Sequence, residues 1–159
     1  MLHRGIATLA AALMLSYILL THYDSQFFLF HFYESLIYIV ILLMLFYFEE
    51  KWAYMLGIFA PAAWLIITFA SGGTIGAIRQ LRLVLTVHRP DDPASLLSLV
   101  ACLLSVLMII FCAYRWNREY AGLGKGTKTA LISLFVTVVY YGIMIVWFWH
   151  AFPHAATAG

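Results

Sequence analysis

A carboxylate and an imidazole interrupt an otherwise apolar run near the start of this sequence. Glu34 and His31 lie in the segment HFYESLIYIV, inside the apolar stretch 27–48. An ionised acid at the centre of a membrane helix costs roughly 2.5–3.5 kcal/mol, so its charge must be paired or the acid must stay protonated. In a helix, His31, Glu34, Ser35 and Tyr38 share one face, because they are spaced at i, i+3, i+4 and i+7. We therefore predict an intramembrane polar site of these four residues that faces protein rather than lipid.

The role of this polar site stays open at the level of sequence. A hydrogen-bonded cluster can simply fix the contacts between helices, since polar side chains join helices in lipid. The same groups can also serve a quinone or proton site, or support the ligands of a cofactor. Residue types and spacing alone do not separate these interpretations.

Three histidines near the ends of apolar segments are candidate ligands of a cofactor or metal. Neutral imidazole ligates copper, zinc, haem iron or the magnesium of a chlorophyll. No HxxxH pair lies within one predicted span, since His154 lies beyond the span that ends with His150, and there is no HExxH motif. Any such site must therefore be assembled between segments. The candidates are His22, His31 and His150. A haem or a pigment is compatible with them, and the identity of a metal stays unknown.

Composition places the chain in a membrane. Hydrophobic residues make up 65% of the 159 residues and charged residues only 10%, against about 45–50% and about 25% in soluble domains. Such a chain has too few polar groups to cover a globule in water. The net charge of +2 is too small to argue for nucleic acid. The segment GLGKGTKT, residues 122–129, has Thr127 where a phosphate-binding loop needs glycine before its Lys, so we predict no nucleotide site.

Five segments are long and apolar enough to cross a bilayer, which takes roughly 20 residues each. Together they predict an all-α integral membrane protein with a single polytopic domain over residues 1–159. The first segment has the basic head MLHR of a signal peptide, but no small-x-small cleavage site follows, so we predict a retained span. The predicted spans are about 5–21, 26–48, 52–72, 93–116 and 127–152.

The long connection between the third and fourth spans predicts a further short helix. Ile78, Leu81, Leu85 and His88 fall on one side of a helix, and Arg79, Arg82, Thr86 and Arg89 fall on another. This pattern is typical of an amphipathic helix that lies in the membrane interface. The helix either covers the mouth of the bundle or docks a partner or anionic lipid through Arg79, Arg82 and Arg89.

The distribution of basic residues predicts the orientation, because cytoplasmic loops carry an excess of Lys and Arg. A cytoplasmic N-terminus places six of the nine basic residues inside and the C-terminus outside. The outer three are the arginines of the amphipathic helix. We predict a multi-pass protein of the bacterial inner membrane.

Small residues at four-residue spacing predict where helices approach closely. The most marked row is Ala53, Gly57 and Pro61 in the third span. In lipid, such rows let neighbouring backbones pack against each other.

These observations favour a non-catalytic structural or accessory subunit of a larger integral-membrane complex, and we predict no enzyme activity. The predicted partners are other integral-membrane subunits and lipids, and the predicted hosts are energy-transducing complexes, respiratory or photosynthetic. One alternative is a membrane anchor that binds a haem, pigment or quinone through its outer histidines. A second alternative is a small oligomeric transporter or channel.

Overall fold

The computed structural model describes residues 2–47, 50–87, 93–120 and 126–148, and these ranges contain helices and turns without any strand. A single 3-10 turn, Ser25–Phe27, separates the first two helices. The helices are α1 (Leu2–Tyr23), α2 (Phe28–Phe46), α3 (Glu50–Ala70), α4 (Gly73–Val87), α5 (Pro93–Tyr120) and α6 (Gly126–Phe148).

Five of these helices, α1, α2, α3, α5 and α6, are long and apolar enough to cross a membrane. α4 has 15 residues, or about 22 Å of helix, which is shorter than a hydrocarbon core of about 30 Å. The predicted all-α membrane protein with five spans and one short helix between the third and fourth is thus confirmed. The helix ends differ from the predicted bounds by a few residues, and residues 149–152 of the fifth predicted span lie outside the described ranges.

α3 lies at the centre of the bundle, in contact with α2, α5 and α6. Its small residues face α5: a Cβ added to Gly57 would lie 2.6 Å from Sγ of Cys112 and 3.1 Å from Cε of Met108. Ala53 and Pro61, one turn away on either side, are also buried. The four-residue spacing therefore brings the backbone of α3 against side chains of α5.

One face of α1 is fully covered, and this face packs against both α2 and α5. Its residues recur at alternating three- and four-residue intervals, as expected for one side of a helix. They are Ile6, Ala10, Leu13, Tyr17 and Leu20.

α6 lies at the edge of the bundle and packs mainly on α3. Its buried face is a narrow stripe that is mostly polar, comprising Thr129, Ser133, Thr137, Tyr141 and Met144. A reciprocal tyrosine pair adds a link to α2. The hydroxyl of Tyr33 donates to the carbonyl of Tyr140 at 3.2 Å, the hydroxyl of Tyr140 donates to the carbonyl of Tyr33, and the two rings stack.

α4 packs against α5 and α3 and presents both of its predicted rows to the surface. Ile78 and Leu85 are exposed, and so are Arg79 and Arg82. An exposed apolar row beside basic residues is the pattern of a helix that meets lipid. His88 and Arg89, which we also assigned to these rows, lie outside the described residues.

Candidate functional site

The turn between α1 and α2 brings three ionisable side chains into a row. The backbone N–H of Asp24 still donates to the carbonyl of Leu20 at 2.8 Å, and the 3-10 turn then leads directly into α2. As a result, Oδ2 of Asp24 lies 3.6 Å from Nε2 of His31. Nδ1 of His31 lies 3.0 Å from Oε2 of Glu34. The row Asp24–His31–Glu34 therefore runs from the end of α1 into α2.

Exposure falls steadily along this row. The side chain of Asp24 is 33% exposed, that of His31 15% and that of Glu34 only 1%. Trp64 of α3 also approaches the carboxylate of Glu34, yet Oε1 is buried and makes no hydrogen bond of normal geometry with the described residues. Glu34 thus keeps one unpaired acceptor deep in the bundle.

A cavity of about 320 Å³ adjoins the row. It lies between the ends of the helices on the side where α4 begins, and its walls come from all five spans and the start of α4. Ionisable, aromatic and hydroxyl side chains form most of its lining. These residues are Asp24, His31 and Glu34, the aromatic side chains of Phe27, Phe30, Trp64 and Phe148, and the hydroxyl residues Thr68, Ser71 and Ser98.

The four residues of the predicted polar stripe are placed differently. His31 and Glu34 pair at the cavity. Ser35 is buried, but its hydroxyl donates to the carbonyl of Phe32 in the same helix at 2.7 Å. Tyr38 is buried further along α2 and stacks on Tyr17. The predicted face of α2 therefore meets two different surroundings: His31 and Glu34 lie at the cavity, whereas Ser35 and Tyr38 lie in the packed interior.

Tyr38 belongs to a second buried cluster, which the sequence analysis did not identify. Its ring stacks on that of Tyr17 with centroids 5.5 Å apart, and Trp64 meets Tyr17 edge-on at the same distance. The hydroxyl of Tyr38 lies near Ser105 and Tyr141 but makes no hydrogen bond of normal geometry with the described residues. A signal for Tyr141 was present in the sequence, because it continues the polar row of α6 at four-residue spacing.

The candidate cofactor ligands do not meet at one point in the described structure. His22 is exposed at the end of α1, where its ring packs edge-on against Tyr23, and it does not line the cavity. Both ring nitrogens of His31 face carboxylates. His150 lies outside the described residues. Within the described ranges, no group of three or more His, Cys, Asp and Glu side chains could hold a metal ion.

A second polar group lies at the opposite end of the bundle. Nη1 of Arg115 pairs with Oε1 of Glu119 at 2.8 Å, and the hydroxyl of Tyr54 donates to Oε2 of Glu50 at 3.3 Å. Ser98, at the cavity, precedes Arg115 by about 25 Å of helix. Glu119 is therefore an acid of the same chain that is remote from the cavity.

The arrangement at the cavity can bind a group that donates hydrogen bonds to Glu34, and it can exchange a proton along the row of three ionisable side chains. Both possibilities follow from the unpaired oxygen and the graded exposure. Comparison with known protein families, curated proteins and solved structures finds no match for this chain.

Proposed function

We propose that this chain is a non-catalytic accessory subunit of a larger integral-membrane complex, with energy-transducing complexes, respiratory or photosynthetic, as its hosts. The supporting observation is a groove on the surface of α6. Val139, Gly142, Ile143, Val146 and Trp147 line it. A Cβ added to Gly142 would meet no atom within 4 Å, so no contact within this chain requires a glycine at this position.

The physical argument concerns what brings helices together in lipid. Lipid tails are as apolar as leucine, so association depends on close packing at small residues and on polar contacts. A glycine inside a helix costs about 1 kcal/mol relative to alanine, and at Gly142 the chain itself gains no contact in return. Val146 and Trp147 stand exposed beside it. The occupant we propose is a membrane-spanning helix of another subunit whose backbone approaches Gly142.

We expect Gly142→Leu to weaken association with the host complex about tenfold or more, because overpacking a close contact costs about 1–3 kcal/mol. Folding of the chain itself should be unaffected, since the groove leaves room for the new side chain. Purification of a tagged chain from its native membrane in mild detergent, followed by mass spectrometry, measures the co-purifying subunits.

Val100→Leu is the matched control, because Val100 is exposed on α5 and does not line the groove on α6. It should leave the co-purifying set unchanged. If Gly142→Leu retains the same partners in the same ratio as the unmodified chain, the groove faces only lipid and the proposal loses its support.

We further propose that the protein lies in the bacterial inner membrane with its N-terminus in the cytoplasm. Lys51, Arg115 and Arg118 lie at one end of the bundle. We assign this end to the cytoplasm, because cytoplasmic loops carry an excess of basic residues. Arg79 and Arg82 lie at the other end, where they are candidate contacts for anionic lipid or a partner.

Labelling of intact cells with a membrane-impermeant maleimide tests this orientation. In a background without Cys102 and Cys112, we expect Ser25→Cys to react from outside. Asn117→Cys should react only after the membrane is permeabilised. Both positions are exposed, so access depends on the side of the membrane, and the opposite pattern of labelling would reverse the topology.

A further inference from the structure

The cavity beside Glu34 carries more negative than positive charge. Two carboxylates, from Asp24 and Glu34, face one imidazole, that of His31. None of the described residues that line the cavity is Lys or Arg. When both carboxylates are ionised, the lining keeps one uncompensated negative charge even with His31 protonated, and this charge favours a cationic guest.

Aromatic rings make up the apolar part of the same cavity. Phe30 meets Phe148 edge-to-face with ring centroids 5.4 Å apart and interplanar angle 87°. It meets Phe27 in a similar geometry at 6.3 Å. Trp64 lines the deeper wall beside Glu34. Aromatic faces attract cations, with Trp the strongest, and they also bury hydrocarbon.

Glu34 supplies the specific contact. Its Oε1 is buried without a hydrogen bond of normal geometry in the described structure, while its Oε2 is engaged by His31. A buried acceptor without a donor is unfavourable, so this oxygen gains most from a guest that brings N–H or O–H groups. A primary ammonium brings both the donors and the compensating charge.

We propose that the cavity binds a small primary organic ammonium cation, with its N–H donated to Oε1 of Glu34 and its hydrocarbon part packed against Phe30 and Trp64. Asp24, partly exposed, attracts the cation. A quinol could also donate to Glu34, but a neutral guest would leave the excess negative charge of the lining uncompensated. The inference does not depend on membership of a larger complex.

The probe is 2-phenylethylammonium, added to the purified full-length chain in nanodiscs of zwitterionic lipid and followed by calorimetry. Its neutral analogue 2-phenylethanol has the same ring and chain length without the charge. The trimethylammonium analogue keeps the charge without N–H. We expect both analogues to bind about tenfold or more weakly than the primary ammonium, because the alcohol lacks the compensating positive charge and the trimethylammonium lacks the N–H donor.

Two substitutions at the cavity and one remote control locate the contact. Glu34→Gln should raise the Kd of 2-phenylethylammonium about tenfold or more. Asp24→Asn, at a more exposed acid, should raise the Kd about threefold. If the Glu34→Gln variant fails to fold, the Kd of the Asp24→Asn variant tests the proposal instead. Glu119→Gln removes an acid at the far end of the bundle and should leave the Kd unchanged.

Three results would overturn the proposal. One is an equal affinity for 2-phenylethanol, which would make the cavity merely apolar. Another is an unchanged Kd in folded Glu34→Gln, or in Asp24→Asn where the Gln variant does not fold. The third is tighter binding of tetramethylhydroquinone than of the ammonium, which would assign the site to a quinol.

Discussion

Glu34→Leu should destabilise the folded bundle by about 1–3 kcal/mol, whereas Glu34→Gln should leave its stability nearly unchanged. Leucine leaves Nδ1 of His31 without the partner it now has at 3.0 Å, in a setting where that side chain is only 15% exposed. Glutamine has the same length and offers an amide oxygen to the same ring nitrogen. Unfolding in mixed micelles with increasing SDS, followed by tryptophan fluorescence, measures the difference.

A double-mutant cycle separates the hydrogen bond from the burial of the acid. Replacing both partners of a buried polar pair by apolar groups often costs less than replacing one. We therefore expect His31→Phe combined with Glu34→Leu to be less destabilising than the sum of the two single changes. A Leu single variant as stable as the unmodified chain would show that the carboxylate contributes no net stabilisation.

Gly57→Ala should also destabilise the bundle by about 1–3 kcal/mol, because the new methyl group overpacks the contact between α3 and α5. Its Cβ would lie 2.6 Å from Sγ of Cys112, which is itself buried. Cys112→Ala removes that sulfur atom, so adding it to Gly57→Ala should restore much of the lost stability. The same SDS titration measures each variant.

Gly142→Ala provides the matched control, since a Cβ there meets no atom within 4 Å. It should be neutral or stabilising by up to about 1 kcal/mol through helix propensity alone. Equal stability of the two Gly→Ala variants would mean that the side chain of Cys112 moves away from the new methyl group without a cost in free energy. If Gly57→Ala is destabilising and Cys112→Ala does not rescue it, the strain arises at Met108 instead.

The five spans were predictable because each is a long apolar run, and the pairing of His31 with Glu34 was predictable because residues three apart on a helix are neighbours. The rest of the site depends on how the helices rotate against each other. Almost every face of these spans is apolar, so hydrophobic pattern does not say which side of α1 turns inward, and Tyr17 was missed for this reason. In α3 the row of small residues marks the buried side, but it does not reveal that Trp64 meets Tyr17 and Glu34 there. Asp24 joins the row through a tight turn, which the spacing of α2 alone does not reveal.

The packing of α1 has a consequence for the order in which the protein assembles during synthesis. α1 leaves the ribosome before α5 and completes its core face only when α5 arrives, because that face meets both α2 and α5. Until then α1 has an incomplete core face, and Gly57 on α3 lacks its contacts with Met108 and Cys112 of α5. We expect this nascent intermediate to remain associated with the insertion machinery. Release into the bilayer would then await the span that begins at Pro93.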